Sequence, residues 1–188
     1  EVVINGGAIT AANTGEGTAI YHPQDGLLTV NGGTVSAPTG IEMRSGTLTV
    51  NAGAIKSTVS TFDEKGNGSG TTMTGVAVAV SQHVTDKDLK VVINGGTLTG
   101  PYALYEKDLQ NETGTKALEI KDGIFEGQVY SKNCTAFIKG GTFSDVSALE
   151  SKERALIYLT DDAKLSFVLG KDCTVSPFIV LESQVVNI

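Results

Sequence analysis

The chain has 188 residues, 40% of them apolar and none tryptophan, with a formal charge of −7. That is apolar material enough for one elongated domain with a real core. No run of about 18 apolar residues is present to span a membrane, and no basic stripe is present to meet nucleic acid.

The chain starts at Glu1, with no initiator methionine and no signal peptide, as a trimmed piece of a larger protein would. The first predicted element is Val2-Val3-Ile4, which leads through Asn5-Gly6-Gly7 to Ala8-Ile9. The phrase returns as Leu28-Thr29-Val30-Asn31-Gly32-Gly33-Thr34-Val35, then as Leu48-Thr49-Val50-Asn51-Ala52-Gly53-Ala54-Ile55. Three later copies are Val91-Val92-Ile93-Asn94-Gly95-Gly96-Thr97-Leu98, Leu118-Glu119-Ile120-Lys121-Asp122-Gly123-Ile124-Phe125 and Ala136-Phe137-Ile138-Lys139-Gly140-Gly141-Thr142-Phe143. Residues alternate within each copy, so each is a strand with one buried face. The glycines supply the bend, and because the 23 of them are largely periodic they mark turns.

A weaker phrase precedes five of the copies: Thr18–His22, Gly40–Arg44, Gly75–Ala79, Tyr102–Glu106 and Gly127–Ser131. Each unit therefore holds two strand segments and is too short to bury its own apolar side. It must stack on its neighbours. The fold expected is all-β, a right-handed single-stranded parallel β-helix (a solenoid) of about six or more coils, about 4.8 Å apart. A leucine-rich repeat is the rival, but helical segments between the strands are missing.

Three inward columns follow: Leu28/Leu48/Val91/Leu118, Val30/Val50/Ile93/Ile120/Ile138 and Val35/Ile55/Leu98/Phe125/Phe143. Asn5, Asn31, Asn51 and Asn94 should stack at one corner and bond one another and the turn backbone. Tyr21, Met43, Val78, Tyr105 and Tyr130 are expected to share an inward face. His22, Glu42, Arg44, Glu106 and Ser131 are then expected on a solvated outer face. Cys134 and Cys173 sit in similar contexts and read as small buried residues of stacked repeats.

Three insertions interrupt the coils. Ser57–Thr74 reads as a mobile loop; its tip, Asp63 to Gly70, lacks the spacing of a calcium loop. Ser81–Lys90 and Lys107–Ala117 break the same junction in consecutive coils. They should emerge side by side and wall a groove lined by His83, Asp86, Asp88, Glu106, Asp108 and Glu112, the candidate ligand-binding residues. Asn67, Asn111 and Asn133 head glycosylation sequons, which matter only in a eukaryotic secreted host. After the sixth copy, Ser144–Arg154 carries the capping pair Ser147 and Glu150 and predicts a short helix. Leu156–Leu159, Leu165–Leu169 and Phe178–Leu181 read as strands. Residues 1–144 are thus the regular coils and 145–188 a C-terminal cap of a single domain.

The Leu-Thr-Val-Asn-Gly-Gly-Thr-Val phrase at 28–35 and Phe-Ile-Lys-Gly-Gly-Thr-Phe-Ser-Asp at 137–145 resemble repeats of secreted bacterial surface proteins with pectate-lyase-like parallel β-helices. The resemblance covers roughly residues 1–145. It implies a secreted or cell-surface location, membership of a longer surface protein, and binding of polysaccharide or host glycan in adhesion. Polysaccharide lyases and hydrolases of that kind need clustered acids for calcium plus a basic catalyst, or paired carboxylates about the scissile bond. Here the arginines are Arg44 and Arg154, the histidines His22 and His83, and the acids are scattered. No catalytic residue, metal or cofactor is therefore assigned. A spacer or stalk without a ligand is the alternative role. Ala54 and Ile124 interrupt the Thr34/Thr97/Thr142 column that an ice-binding face would need.

Overall fold

The computed structural model describes residues 1–11, 16–67, 70–108, 112–134 and 137–143, with the backbone alone in the strand residues between 66 and 72. Three short strands beyond them are also described as backbone. In chain order the strands are β1 (Val2–Ile4), β2 (Ala8–Thr10), β3 (Thr18–His22), β4 (Leu27–Val30), β5 (Thr34–Ala37) and β6 (Thr39–Met43). Next come β7 (Gly46–Val50), β8 (Ala54–Ser57), β9 (Asp63–Asn67), β10 (Gly70–Thr74), β11 (Val76–Val80) and β12 (Leu89–Ile93). The series ends with β13 (Thr97–Glu106), β14 (Lys116–Ile120), β15 (Ile124–Ser131), β16 (Gly141–Phe143), β17 (Ile157–Leu159), β18 (Ala163–Leu165) and β19 (Ile179–Leu181). The chain is all-β, with no helix among the described residues.

The strands before each Asn-Gly-Gly corner form one parallel sheet in the order β1-β4-β7-β12-β14. Those after it form a second parallel row, in which β2 pairs β5, β5 pairs β8 and β8 pairs β13. The weaker phrase supplies a third, β3-β6-β11-β13-β15. The long strands β13 and β15 run through both later rows and join them into one ten-stranded sheet.

All three inward columns hold. Leu28 pairs Leu48, Leu48 pairs Val91 and Val91 pairs Leu118. Ile120 bridges Ile138, and Phe125 pairs Phe143 with stacked rings 4.8 Å apart. The three rows contribute to one continuous apolar cluster. The Asn column also behaves as expected: Asn31 Nδ2 donates to Asn5 Oδ1 at 2.9 Å, and Asn51 and Asn94 repeat the bond at 2.8 Å. Behind it, Gly33 has φ +86°, and a Cβ there would lie 2.6 Å from the Gly7 carbonyl of the preceding repeat, so glycine is required.

The third row corrects the sequence reading. Tyr21 pairs Glu42, Glu42 pairs Ala79, Ala79 pairs Tyr105 and Tyr105 pairs Tyr130. The inward column is Ile20/Ile41/Val78/Leu104/Val129, so the tyrosines face outward. The expected solvated face does not exist either. Glu42, Arg44, Glu106 and Ser131 are all buried, and Glu106 and Ser131 share an inward column with Met43 and Val80. The cause is that both faces of this row are covered from β6 onward, so alternation carries no orientation there. The outer cover is the segment expected as a loop: β9 and β10 pair as an antiparallel hairpin. Phe62, just before β9, and Met73, within β10, pack with Val76, Ala79, Tyr102, Tyr105 and Tyr130. Strands β17, β18 and β19 coincide in part with the three predicted late strands. The helix expected at 144–154, and Cys173, lie outside the described residues.

Candidate functional site

The two inserted loops leave the third row after β11 and β13 and re-enter the first row at β12 and β14. They lie against each other as expected, and the contacts are specific. Asp86 Oδ1 accepts from the Thr113 amide at 2.6 Å, and Asp88 Oδ1 from the Thr115 amide at 3.2 Å. Asp86 takes φ 54°, a left-handed conformation that aspartate adopts more readily than most residues. The Gln82 side chain, fully buried, donates to the Lys87 carbonyl at 2.8 Å and ties the first loop to its own base. His83 is half-buried; its Nδ1 lies 3.3 Å from the Thr85 amide nitrogen and 3.2 Å from the Thr85 hydroxyl.

Beneath the loops lies a polar seam. Asp108 is buried: Oδ1 accepts from the Gln82 amide at 2.6 Å, and Oδ2 meets Lys116 Nζ at 2.7 Å. Lys116 Nζ also donates to Gln82 Oε1 at 3.1 Å and to the Glu112 carbonyl at 2.7 Å. One level on, Glu106 is 0% exposed. Its Oε2 accepts from Ser131 Oγ at 2.6 Å and the Asn133 amide at 2.8 Å, and its Oε1 from Asn133 Nδ2 at 2.6 Å. Ser131 Oγ in turn accepts from the Cys134 amide at 2.9 Å. Cys134 is buried, as expected, and burial with the nearby Glu106 charge pushes its thiol up to about 11, so it stays protonated.

The six candidate residues therefore divide. His83, Asp86, Asp88 and Glu112 sit at or near the loop surface. Glu106 and Asp108 lie inside the seam, where they bind the chain and line no open groove. Of the residues that build the seam with them, Gln82, Lys116 and Asn133 carried no site reading in the sequence, and Ser131 had been expected on the solvated outer face. Only the sequon had drawn attention to Asn133, whose side-chain nitrogen is engaged by Glu106.

A second cluster lies on β6 and the turn after it. Glu42 Oε1 is 3.5 Å from Arg44 Nη1, and both side chains are 1% exposed. Burial pushes the Glu42 carboxyl up to about 7, although Arg44 and a bond from Thr18 pull the other way. His22 Nδ1 lies 3.1 Å from the Ser45 carbonyl beside them. On the same outer face Tyr105 and Tyr130 stack with centroids 4.8 Å apart; Phe62 and Tyr102 each meet Tyr105 at 4.8 Å and one another at 4.6 Å. Burial raises the Tyr105 phenol, and nearby Glu64 adds to the shift. The hairpin over this cluster is fastened by Lys107 Nζ to Glu64 at 2.9 Å.

No family model, no curated protein and no solved structure matches the chain. The chemistry of the loop edge therefore carries the functional reading. Exposed Asp86, Lys87 and Asp88, with Thr85 and Val84, make a mixed polar and apolar rim held in fixed relief. No cluster of three or more His, Cys, Asp or Glu suited to a metal occurs among the described residues.

Proposed function

We propose that the chain is a right-handed single-stranded parallel β-helix of about six coils. It serves as a non-catalytic module of a secreted cell-surface protein and binds carbohydrate along the loop edge in adhesion. The observation that carries this reading is the pinning of two consecutive insertions to each other by the Asp86–Thr113 and Asp88–Thr115 bonds. In stacked repeats, insertions on one face are where ligands are met, and a pre-organised rim loses little entropy on binding. The resemblance of the Asn-Gly-Gly phrases to secreted surface β-helices supports the location and the ligand class.

A glycan array of plant, mucin and bacterial polysaccharides tests it. The double variant Thr85→Arg/Lys87→Glu changes the rim and leaves every side-chain bond from Asp86 and Asp88 in place. Binding by the native chain, lost in the double variant, is the expected result. A second reading, a spacer without a ligand, is favoured by the loop carboxylates already engaged by the chain. A blank array for the native chain selects the spacer.

A further inference from the structure

Both ends of the first inserted loop rest on the turn between β6 and β7. The His83 amide donates to the Arg44 carbonyl at 2.7 Å, and the Gly46 amide donates to the Asp88 carbonyl at 2.9 Å. That turn is tightly seated. Gly46 takes φ +77°, and a Cβ there would lie 2.5 Å from the Gly26 carbonyl. The Arg44 amide donates to the His22 carbonyl at 2.9 Å, and Arg44 and Ser45 are buried. Asp88 passes the connection on, because its side chain accepts from the Thr115 amide of the second loop. Arg44, Ser45 and Gly46 thus form the seat of the whole rim.

Arg44 keeps its charge at any ordinary pH, and Glu42 Oε1 lies 3.5 Å from its Nη1 in the buried interior. Burial raises the Glu42 carboxyl to about 7, so it changes charge near neutral pH. Solvent screens a pair at this depth little, so the change is felt by the guanidinium. The elements packed on β6 bring few other charges. β5 and β11 have no titratable residue, β3 brings Tyr21 and His22, and β8 brings Lys56. The hairpin touches β6 where the Thr39 hydroxyl donates to the Met73 carbonyl. Its own charges are engaged elsewhere: Lys65 meets Glu16 and Asp63, and Glu64 meets Lys107. His22 is the rival to Glu42, since its Nδ1 lies 3.1 Å from the Ser45 carbonyl; His83, Asp86, Lys87 and Asp88 belong to the loop itself.

We infer that Glu42 is a proton sensor for the loop edge: ionised and paired with Arg44 it holds the turn and the rim in the binding arrangement, and its protonation loosens that seat. The inference rests on the reading of the loop edge as the carbohydrate site. Glu42 touches no ligand. It is a positioning residue that acts through Arg44 and the two backbone bonds at His83 and Asp88. Affinity therefore falls on acidification. Linkage requires the reverse as well, so a bound ligand makes Glu42 give up its proton more readily.

Two measurements on the full chain keep the sensor and the ligand apart. The first is an NMR titration of the His83 and Gly46 amides across the Glu42 transition, from about pH 5.5 to about pH 8.5. Both amides should move with the midpoint of the Glu42 carboxyl and lie flat in Glu42→Gln, whereas His22→Gln and His83→Gln leave the Gly46 midpoint in place. The second is glycan binding over the same range. The native chain should bind several-fold more weakly at the acid end, and Glu42→Gln should bind at that weak level throughout. Amides that stay still in the native chain overturn the inference, and so does a Gly46 titration that survives Glu42→Gln or native glycan binding that ignores pH. A chain that binds no glycan while its amides follow Glu42 supports the sensor and overturns the carbohydrate reading alone.

Discussion

At the Asn corner, three identical bonds join four copies of one exposed side chain. At the inserted-loop corner no side chain recurs: Gln82, Asp108 and Asn133 contact one another in turn, with Glu106, Lys116 and Ser131 beside them. Stacking explains the difference. Strands repeating about every 4.8 Å bring like side chains within bonding reach, and an amide that both donates and accepts satisfies its own copy. A carboxylate only accepts, so a column of Asp or Glu would repel itself; the buried seam must alternate acceptors with donors. One corner tolerates change because water can replace each bond. The other does not.

The largest effect should come from Glu106→Ala. It removes the acceptor of the Asn133 amide, of Asn133 Nδ2, which keeps only Asp108 at 3.4 Å, and of the buried Ser131 Oγ. Hydrogen bonds to a charged group contribute about 1.5–3 kcal/mol each, and Glu106 accepts three. Urea unfolding measures this, and Glu106→Gln, which keeps one acceptor, should recover part of it. A loss no larger than that of an exposed Asn would mean the seam is open to solvent.

The next effect separates burial from pairing at Glu42, next to the loop corner. Its folded carboxyl is raised to about 7 from an ordinary 4.5, so the fold holds the proton more tightly than the unfolded chain does. This stabilisation is complete below about pH 4.5 and is lost as pH rises through about 7, on the order of 3 kcal/mol over that window. Glu42→Gln cannot titrate and should flatten the stability profile there. Identical slopes in the native chain and the variant would assign the pH dependence to other groups.

The two corners also differed in how far the sequence disclosed them. The Asn column and the inward columns were legible because repetition in sequence becomes contact in a stack, and period two marks the buried face when the other face is wet. The seam was not, because Lys116 lies far along the chain from Gln82, and Asn133 from Glu106 and Asp108, and they meet only through the pairing of distant strands. The third row misled for a related reason. All five residues of β6 and of β11 are buried. With the hairpin outside and the core inside, Tyr105 and Leu104 look equally apolar, and a register one residue off reverses which of them points in. The hairpin itself was hidden by composition, since Asp63-Glu64-Lys65-Gly66-Asn67 reads as a solvated loop. Glu64 instead anchors it to Lys107.

The smallest effect gives the sharpest arithmetic. Asn31→Ala removes the bonds to Asn5 and Asn51, and Asn51→Ala removes those to Asn31 and Asn94. Each bond is exposed, so each variant should cost only about 1 kcal/mol, at the low end for such bonds. The two sets share the Asn31–Asn51 bond, so the double variant loses three bonds where the singles together lose four. Its cost should fall short of the sum by about one bond, roughly 0.5 kcal/mol. Glu106→Ala with Asp108→Ala should deviate more, because Asn133 Nδ2 is shared by two buried carboxylates at 2.6 and 3.4 Å. Strict additivity at the Asn corner would mean that its amides bond water as readily as one another, and the column would then be a consequence of stacking with no part in holding it.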